Sequence, residues 1–225
     1  GKVDLTSDRG KSMMMKSHTQ LRGIGQGFLV YSTGNNSRYP GMNAQGEKDT
    51  TALPPGSQIG TNSTNGFEPV YRLTVLVRNS YVTPEFLISP FEETSSSPAT
   101  ADKPLSTSNF SYALLRIDQP GSGRQNEWKE TMNSMAVIAS DRNIAAAARK
   151  DARSPMSDID AWIGGVVYND NHVSTEEQSV IAETKYGPYR TKNDDLFADN
   201  NDEQGNPNND AVMVYQDATT YVNQK

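Results

Sequence analysis

The sequence predicts an α+β fold in which an N-terminal amphipathic helix packs on an antiparallel β-sheet joined by long loops. Three observations carry this expectation. Through the first 33 positions apolar residues recur at spacings of three and four, as one face of an α-helix requires. Short β-branched and aromatic runs bounded by Asn, Asp, Gly and Pro follow them. Between these runs lie stretches of Gly, Pro, Asn, Ser and Thr with almost no apolar periodicity.

The first element is a helix over about 10–33, whose stripe is Met14, Ser17, Leu21, Ile24, Phe28 and Tyr31. Lys11, Lys16, Gln20, Arg22 and Gln26 occupy its other faces, and Gly34-Asn35-Asn36 supplies a stop that tolerates a left-handed backbone. Gly23, Gly25 and Gly27 lie inside the helix at about 1 kcal/mol each relative to Ala, so it needs packing to persist. Gly23 and Gly27 share a face that admits a close neighbour.

Residues 35–66 read as a long surface loop. The pattern Val70, Leu73, Leu76 or Val77, Tyr81 predicts a second helix over 68–81, with a strand as the competitor because of its β-branched content. A proline-bracketed segment, Pro84 to Pro90, and a second polar loop lead to the first strand, Phe110 to Leu115. Met135 to Ala139 reads as a buried strand that ends at a polar corner, Ser140 to Asn143. Ile144 to Lys150 has high helix propensity over only two turns and reads as a short helix or a loop. The clearest hairpin joins Gly165–Tyr168 to His172–Thr175 through Asn169-Asp170-Asn171, since Asx residues accommodate positive φ. A last strand, Ala211 to Gln216, follows an acidic, Asn-rich run from Asp194 to Asp210.

Composition narrows the functional classes. The 225 residues carry 21 basic and 27 acidic side chains, a net charge of −6, so no nucleic-acid partner is expected. The absence of cysteine excludes disulfides, thiolate nucleophiles and Cys-bearing zinc sites. The longest apolar runs are about five residues, far below the ~20 of a membrane-spanning helix. The opening Gly1-Lys2-Val3 is read as a cut from which an anchoring segment is missing. Residues 1–30 hold five basic and two acidic groups, while 191–225 hold two basic and seven acidic, so the two ends are expected to attract one another or neighbouring subunits.

Several motifs invite chemistry. Gly23-Ile-Gly25-Gln-Gly27 has the wrong spacing for a dinucleotide turn and follows no strand. Pro120-Gly-Ser-Gly-Arg124 lacks the Lys-Ser/Thr of a phosphate loop. Asp170 and His172, two apart on a strand, share a face and are the candidates for a metal-binding or catalytic dyad. The run from Asp199 to Asp210 packs hard oxygen donors, and Asp199, Asn201, Asp202, Glu203 and Asp210 are its candidate Ca²⁺ ligands, although Gly205 falls one place late for an EF-hand. No other cofactor is expected.

Several segments, in order, resemble the bacterial prepilin-type proteins, type IV pilin-like or pseudopilin-like, of the family whose C-terminal motif is His, nine residues, then Asp-Gly. Thr19-Gln-Leu-Arg-Gly-Ile-Gly-Gln-Gly-Phe28 with Tyr31 and Asn35-Asn-Ser-Arg-Tyr-Pro40 resembles the end of that family's first helix and its Asn-rich turn. Arg72–Val77 and Phe86-Leu-Ile-Ser-Pro90 resemble its second helix and Phe-x-Cys-Pro segment, with Ser89 at the Cys. Phe110–Tyr112, Ala139–Asn143 and Gly164–Val173 resemble its central strands and terminal hairpin; Asn171 stands at the motif's Gly and Asp160 at its His.

The resemblance implies a pilin-like fold: residues 1–34 as the C-terminal part of a stem helix and 35–225 as an α+β head. It assigns Leu21, Ile24, Phe28 and Tyr31 to helix–sheet packing, with Asp170 and His172 on the motif hairpin. It implies no catalysis. The expected role is a structural subunit of a pilus-like filament or secretion pseudopilus, methylated at its processed N-terminus. Such a subunit is exported, anchored in the inner membrane by its missing apolar helix or present in an extracellular filament, and associates with itself or related subunits. The alternative is an exported surface binding module, an adhesin or carbohydrate-binding minor pilin, with Tyr39, Trp128, Trp162 and Tyr189 as candidate ligand-reading aromatics on exposed loops 35–66, 91–109 and 191–210.

Overall fold

The structure, a computed structural model, describes residues 3–51, 65–93, 96–100, 103–157, 161–199 and 209–224. The apolar stripe forms a 26-residue helix, α1 (Asp8–Thr33), two residues longer at its start than its apolar spacing predicts. Ser7 sets that start, its hydroxyl accepting from the backbone N–H of Gly10 at 3.0 Å, with Asp8 in the first turn against the positive end of the helix dipole. The left-handed residues beyond the helix are Asn36 and Ser37, at φ 52° and 63°, while Gly34 stays at negative φ.

The second helix, α2 (Pro69–Arg78), carries Pro at its first position and is buried almost throughout, so helix won over strand. Of its β-branched residues, Thr74, Val75 and Val77 are buried and Val70 packs against the core.

The main sheet has the order β4-β3-β2-β1-β7, all antiparallel: β1 (Tyr112–Leu115), β2 (Val137–Asp141), β3 (Gly164–Tyr168), β4 (Val173–Glu176) and β7 (Met213–Val214). The hairpin of β3 and β4 turns where expected, with Asn171 at φ 67°. A short helix, α3 (Gly123–Glu127), lies between β1 and β2.

Three expectations are corrected. First, β2 runs through Ser140 and Asp141 instead of stopping before them, and the polar corner Ser140–Asn143 is wholly buried. It occupies the central strand, where its polar groups are bonded inside the protein: the N–H of Gly165 donates to Asp141 Oδ2 at 2.8 Å, Arg142 pairs with Glu92 at 2.8 Å, and the N–H of Asn143 donates to Gln224 Oε1 at 2.8 Å. Second, loop 191–210 is not a loop at its start. A second hairpin, β5 (Val180–Tyr186) and β6 (Tyr189–Asp195), turns at Gly187-Pro188, and Asp194 and Asp195 are buried beneath it. Third, among the described residues of 35–51 the chain forms only turns and isolated bridges, yet Tyr39 and Met42 are fully buried, so this loop is part of the core. Residues 144–148 are irregular, with one 3₁₀ turn following at Arg149–Asp151.

The core lies between α1, α2 and the sheet. Phe28 stacks on Tyr39 at 5.6 Å and meets Trp128 edge-on at 4.9 Å, and Tyr39 meets Trp128 edge-on at 5.4 Å. Below them the fully buried Arg72 lies over Trp128 at 4.7 Å and donates from Nη1 to the carbonyl of Leu115 at 2.8 Å. Burial lowers its pKa to about 9, against the raising effect of the Asp118 carboxylate.

Candidate functional site

The functional side chains nominated by the sequence fall into three places: the inner face of α1, the β3–β4 hairpin and the acidic run. α1 crosses β2, β3 and β4. Leu21, Ile24 and Phe28 are fully buried in the core, Leu21 against Gly165 of β3 and Phe28 against Tyr39 and Trp128, and Tyr31 is half-buried against the same core. The helix sits close because glycines face it and lie within it. A Cβ on Gly165 of β3 would stand 2.5 Å from Leu21 Cδ1, and one on Gly25 would stand 2.3 Å from Asn171 Oδ1 of the hairpin turn. Gly23 and Gly27 do share a close approach, against Phe86 and against Val82 and Leu76 respectively. The Gly-x-Gly-x-Gly spacing is therefore a set of packing contacts on two sides of one helix, Gly23 and Gly27 on one and Gly25 on the other.

The N-terminal half of the same interface is polar. The hydroxyl of Tyr112 donates to Gln20 Oε1 at 2.6 Å, Ser17 Oγ lies 3.3 Å from that hydroxyl, and Gln20 Nε2 donates to the carbonyl of Glu85 at 3.2 Å. His18 Nε2 lies 2.6 Å from Thr175 Oγ1 on β4, and burial lowers the pKa of the imidazole. Asp141 pairs in register with Tyr112; burial pushes its carboxyl up to about 7, against the lowering effect of the Gly165 N–H.

Asp170 and His172 meet, but not as strand neighbours sharing a face: both lie in the connection between β3, which ends at Tyr168, and β4, which starts at Val173. His172 Nδ1 lies 2.5 Å from Asp170 Oδ1, and the imidazole stacks on Tyr168 at 4.3 Å. Asp170 fixes one ring nitrogen at an exposed hairpin end, and no third ionisable ligand joins the pair: among the described residues no three His, Asp or Glu side chains converge as a metal site.

Of the acidic run, Asp199 and Asp210 are described, while Asn201, Asp202 and Glu203 lie outside the described residues, as does Asp160. Asp199 bonds Arg116 at 2.8 Å and Arg124 at 3.3 Å, and Asp210 bonds Arg124 at 2.9 Å. A cation recruiting these two carboxylates would compete with guanidinium groups. The acidic end is thus matched by internal arginines, whereas Arg9, Lys11, Lys16 and Arg22 of α1 make no ion pair among the described residues.

Tyr39, Trp128 and Trp162 are fully buried, and Tyr189 is half-buried at the start of β6. Sequence reasoning missed Asn169, the hub of the hairpin's base. Its Nδ2 donates to the carbonyls of Glu127 and Lys129 at 2.9 Å each, and its Oδ1 accepts from the Tyr39 hydroxyl at 2.5 Å. The one signal for it was its place at the end of the run Gly164–Tyr168, where an Asx side chain can close a turn.

Comparison with protein-family models, curated proteins and solved structures found no match to the chain.

Proposed function

We propose that the chain is the folded head of a pilin-like assembly subunit, a structural protein and not an enzyme. The observation that supports this best is the asymmetry of α1. Its inner stripe is docked into the sheet along Leu21, Ile24 and Phe28, while Met15, Thr19, Arg22, Gln26 and Val30 form a continuous outward stripe. Met15 is 72% exposed and Val30 45%, so the stripe presents an apolar side chain near each end. A helix fixed on one side and open on the other can pass load from the fold to whatever its outer stripe touches. Assembly with like or related subunits in a filament or secretion pseudopilus at the cell envelope uses that arrangement.

The order of resembling segments points the same way. None of the three fully buried aromatics is placed to read a surface ligand, so the adhesin alternative draws no support from them. The test is the mature N-terminus of the native chain, read by mass spectrometry of envelope or sheared surface material. An N-methylated apolar residue upstream of Gly1 is the expected result. Conventional signal-peptide cleavage with no apolar stretch before the helix would overturn the reading.

A further inference from the structure

We propose that the concave surface between the 149–151 turn and the start of β5 is a binding site for a small acidic sugar, a hydroxylated ring bearing a carboxylate or a phosphate. It goes beyond the assembly role, since it needs neither the outer stripe nor any continuation of α1. Arg149, Lys150, Ala161, Trp162, Glu177, Gln178 and Val180 enclose a pocket of about 410 Å³, within the size range of small-molecule sites.

The frame is tied by hydrogen bonds. The N–H of Arg149 donates to Asp195 Oδ2 at 2.9 Å, and Ser179 Oγ donates to Asp195 Oδ1 at 3.0 Å, so one buried carboxylate ties the turn to the start of β5. Under the floor, Trp162 donates from Nε1 to the carbonyl of Arg142 at 3.2 Å and meets Phe197 edge-on at 5.5 Å. Arg149 itself is held at φ 52°, a conformation that a branched-out, non-glycine residue keeps only where its surroundings impose it.

The chemistry of the lining selects the ligand. Arg149 and Lys150 are exposed, adjacent and without an ion-pair partner among the described residues, in a chain whose net charge is −6. A guanidinium fork beside an ammonium recognises a carboxylate or phosphate. Glu177 and Gln178 across the pocket offer acceptors and a donor for hydroxyl groups, and Ala161 and Val180 offer apolar contact for the C–H face of a ring. A simple anion would use only the first of these.

The experiment is a titration of the protein with glucuronate and, separately, with glucose 6-phosphate, followed by NMR shifts of the amides of 149–151 and 177–180. Glucose and inorganic phosphate serve as controls. Saturable shifts with either acidic sugar, weakened about tenfold in Arg149→Asn/Lys150→Gln, are expected. Glucuronate alone titrating would identify a carboxylated sugar, and glucose 6-phosphate alone a phosphorylated one. Asn is chosen at 149 because it tolerates positive φ, and Lys150→Gln alone, which leaves the turn's backbone untouched, serves if the double variant does not fold. No shift with either sugar acid, shifts unchanged in the variants, or inorganic phosphate binding as tightly as glucose 6-phosphate would overturn the proposal.

Discussion

The two halves of the α1–sheet interface are built from opposite materials. From Leu21 to Phe28 the contact is apolar and aromatic, closed by Tyr39 and Trp128. From Ser17 to Gln20 it is polar, resting on Tyr112, whose partner across the strands is the buried Asp141. Apolar burial supplies free energy without regard to direction, whereas hydrogen bonds of limited net worth fix geometry. The difference teaches that one end of the helix holds the head together while the other sets the rotation and register at which α1 emerges from it.

Substitutions should separate the two roles. Phe28→Ala removes the ring shared by Tyr39 and Trp128 and should cost about 3–5 kcal/mol in urea denaturation. A loss below about 1 kcal/mol would show that the apolar half does not hold the helix. Gly25→Leu drives a side chain into the hairpin turn and should cost about 1–3 kcal/mol. Part of that loss should return in the Asn171→Gly background, which removes the opposing side chain at a position of φ 67°.

In the polar half, Tyr112→Phe should cost about 1–3 kcal/mol, because Gln20 Oε1 loses its donor inside the protein. Asp141 gives that half a pH dependence. Its folded pKa of about 7 stands above the ordinary carboxylate value of 3.8, so its contribution to stability is fully present below about pH 4 and is lost as pH rises through about 7. Asp194, pushed up to about 7 by burial under the second hairpin, acts with the same sign. Asp141→Asn should therefore flatten, without abolishing, the fall in melting temperature between pH 5 and pH 8. The smallest effect belongs to the exposed hairpin end, where His172→Gln should change stability by no more than about 0.5 kcal/mol.

The apolar half was legible in the sequence and the polar half was not. Leu21, Ile24 and Phe28 announce themselves by spacing, and the α+β class follows from them and from the strand runs around Leu114, Ile138 and Val166. The hairpin was equally plain because Asn171 carries the positive φ its turn needs. Ser140 to Asn143 read as a surface corner because polarity is a local property, whereas the partners that satisfy it, Glu92, Gly165 and Gln224, are distant in the chain. The second hairpin was hidden for the same reason: Asp194 and Asp195 look like solvent residues until Thr184, Ser179 and the backbone of Arg149 bind them. Of the candidate sites, the packing stripe could be read from spacing, whereas Asp170 and His172 meet within the turn and not along a strand. The pocket beside Arg149 could not, since it is assembled from three separate segments.

Amide hydrogen exchange along α1 tests the division of labour most directly. The account predicts that the amides of Leu21 to Phe28 exchange as slowly as those of β2 and β3, because they open only with the core, and that those of Ser17 to Gln20 exchange markedly faster. Equal protection along the whole helix, or fast exchange through Phe28, would contradict it.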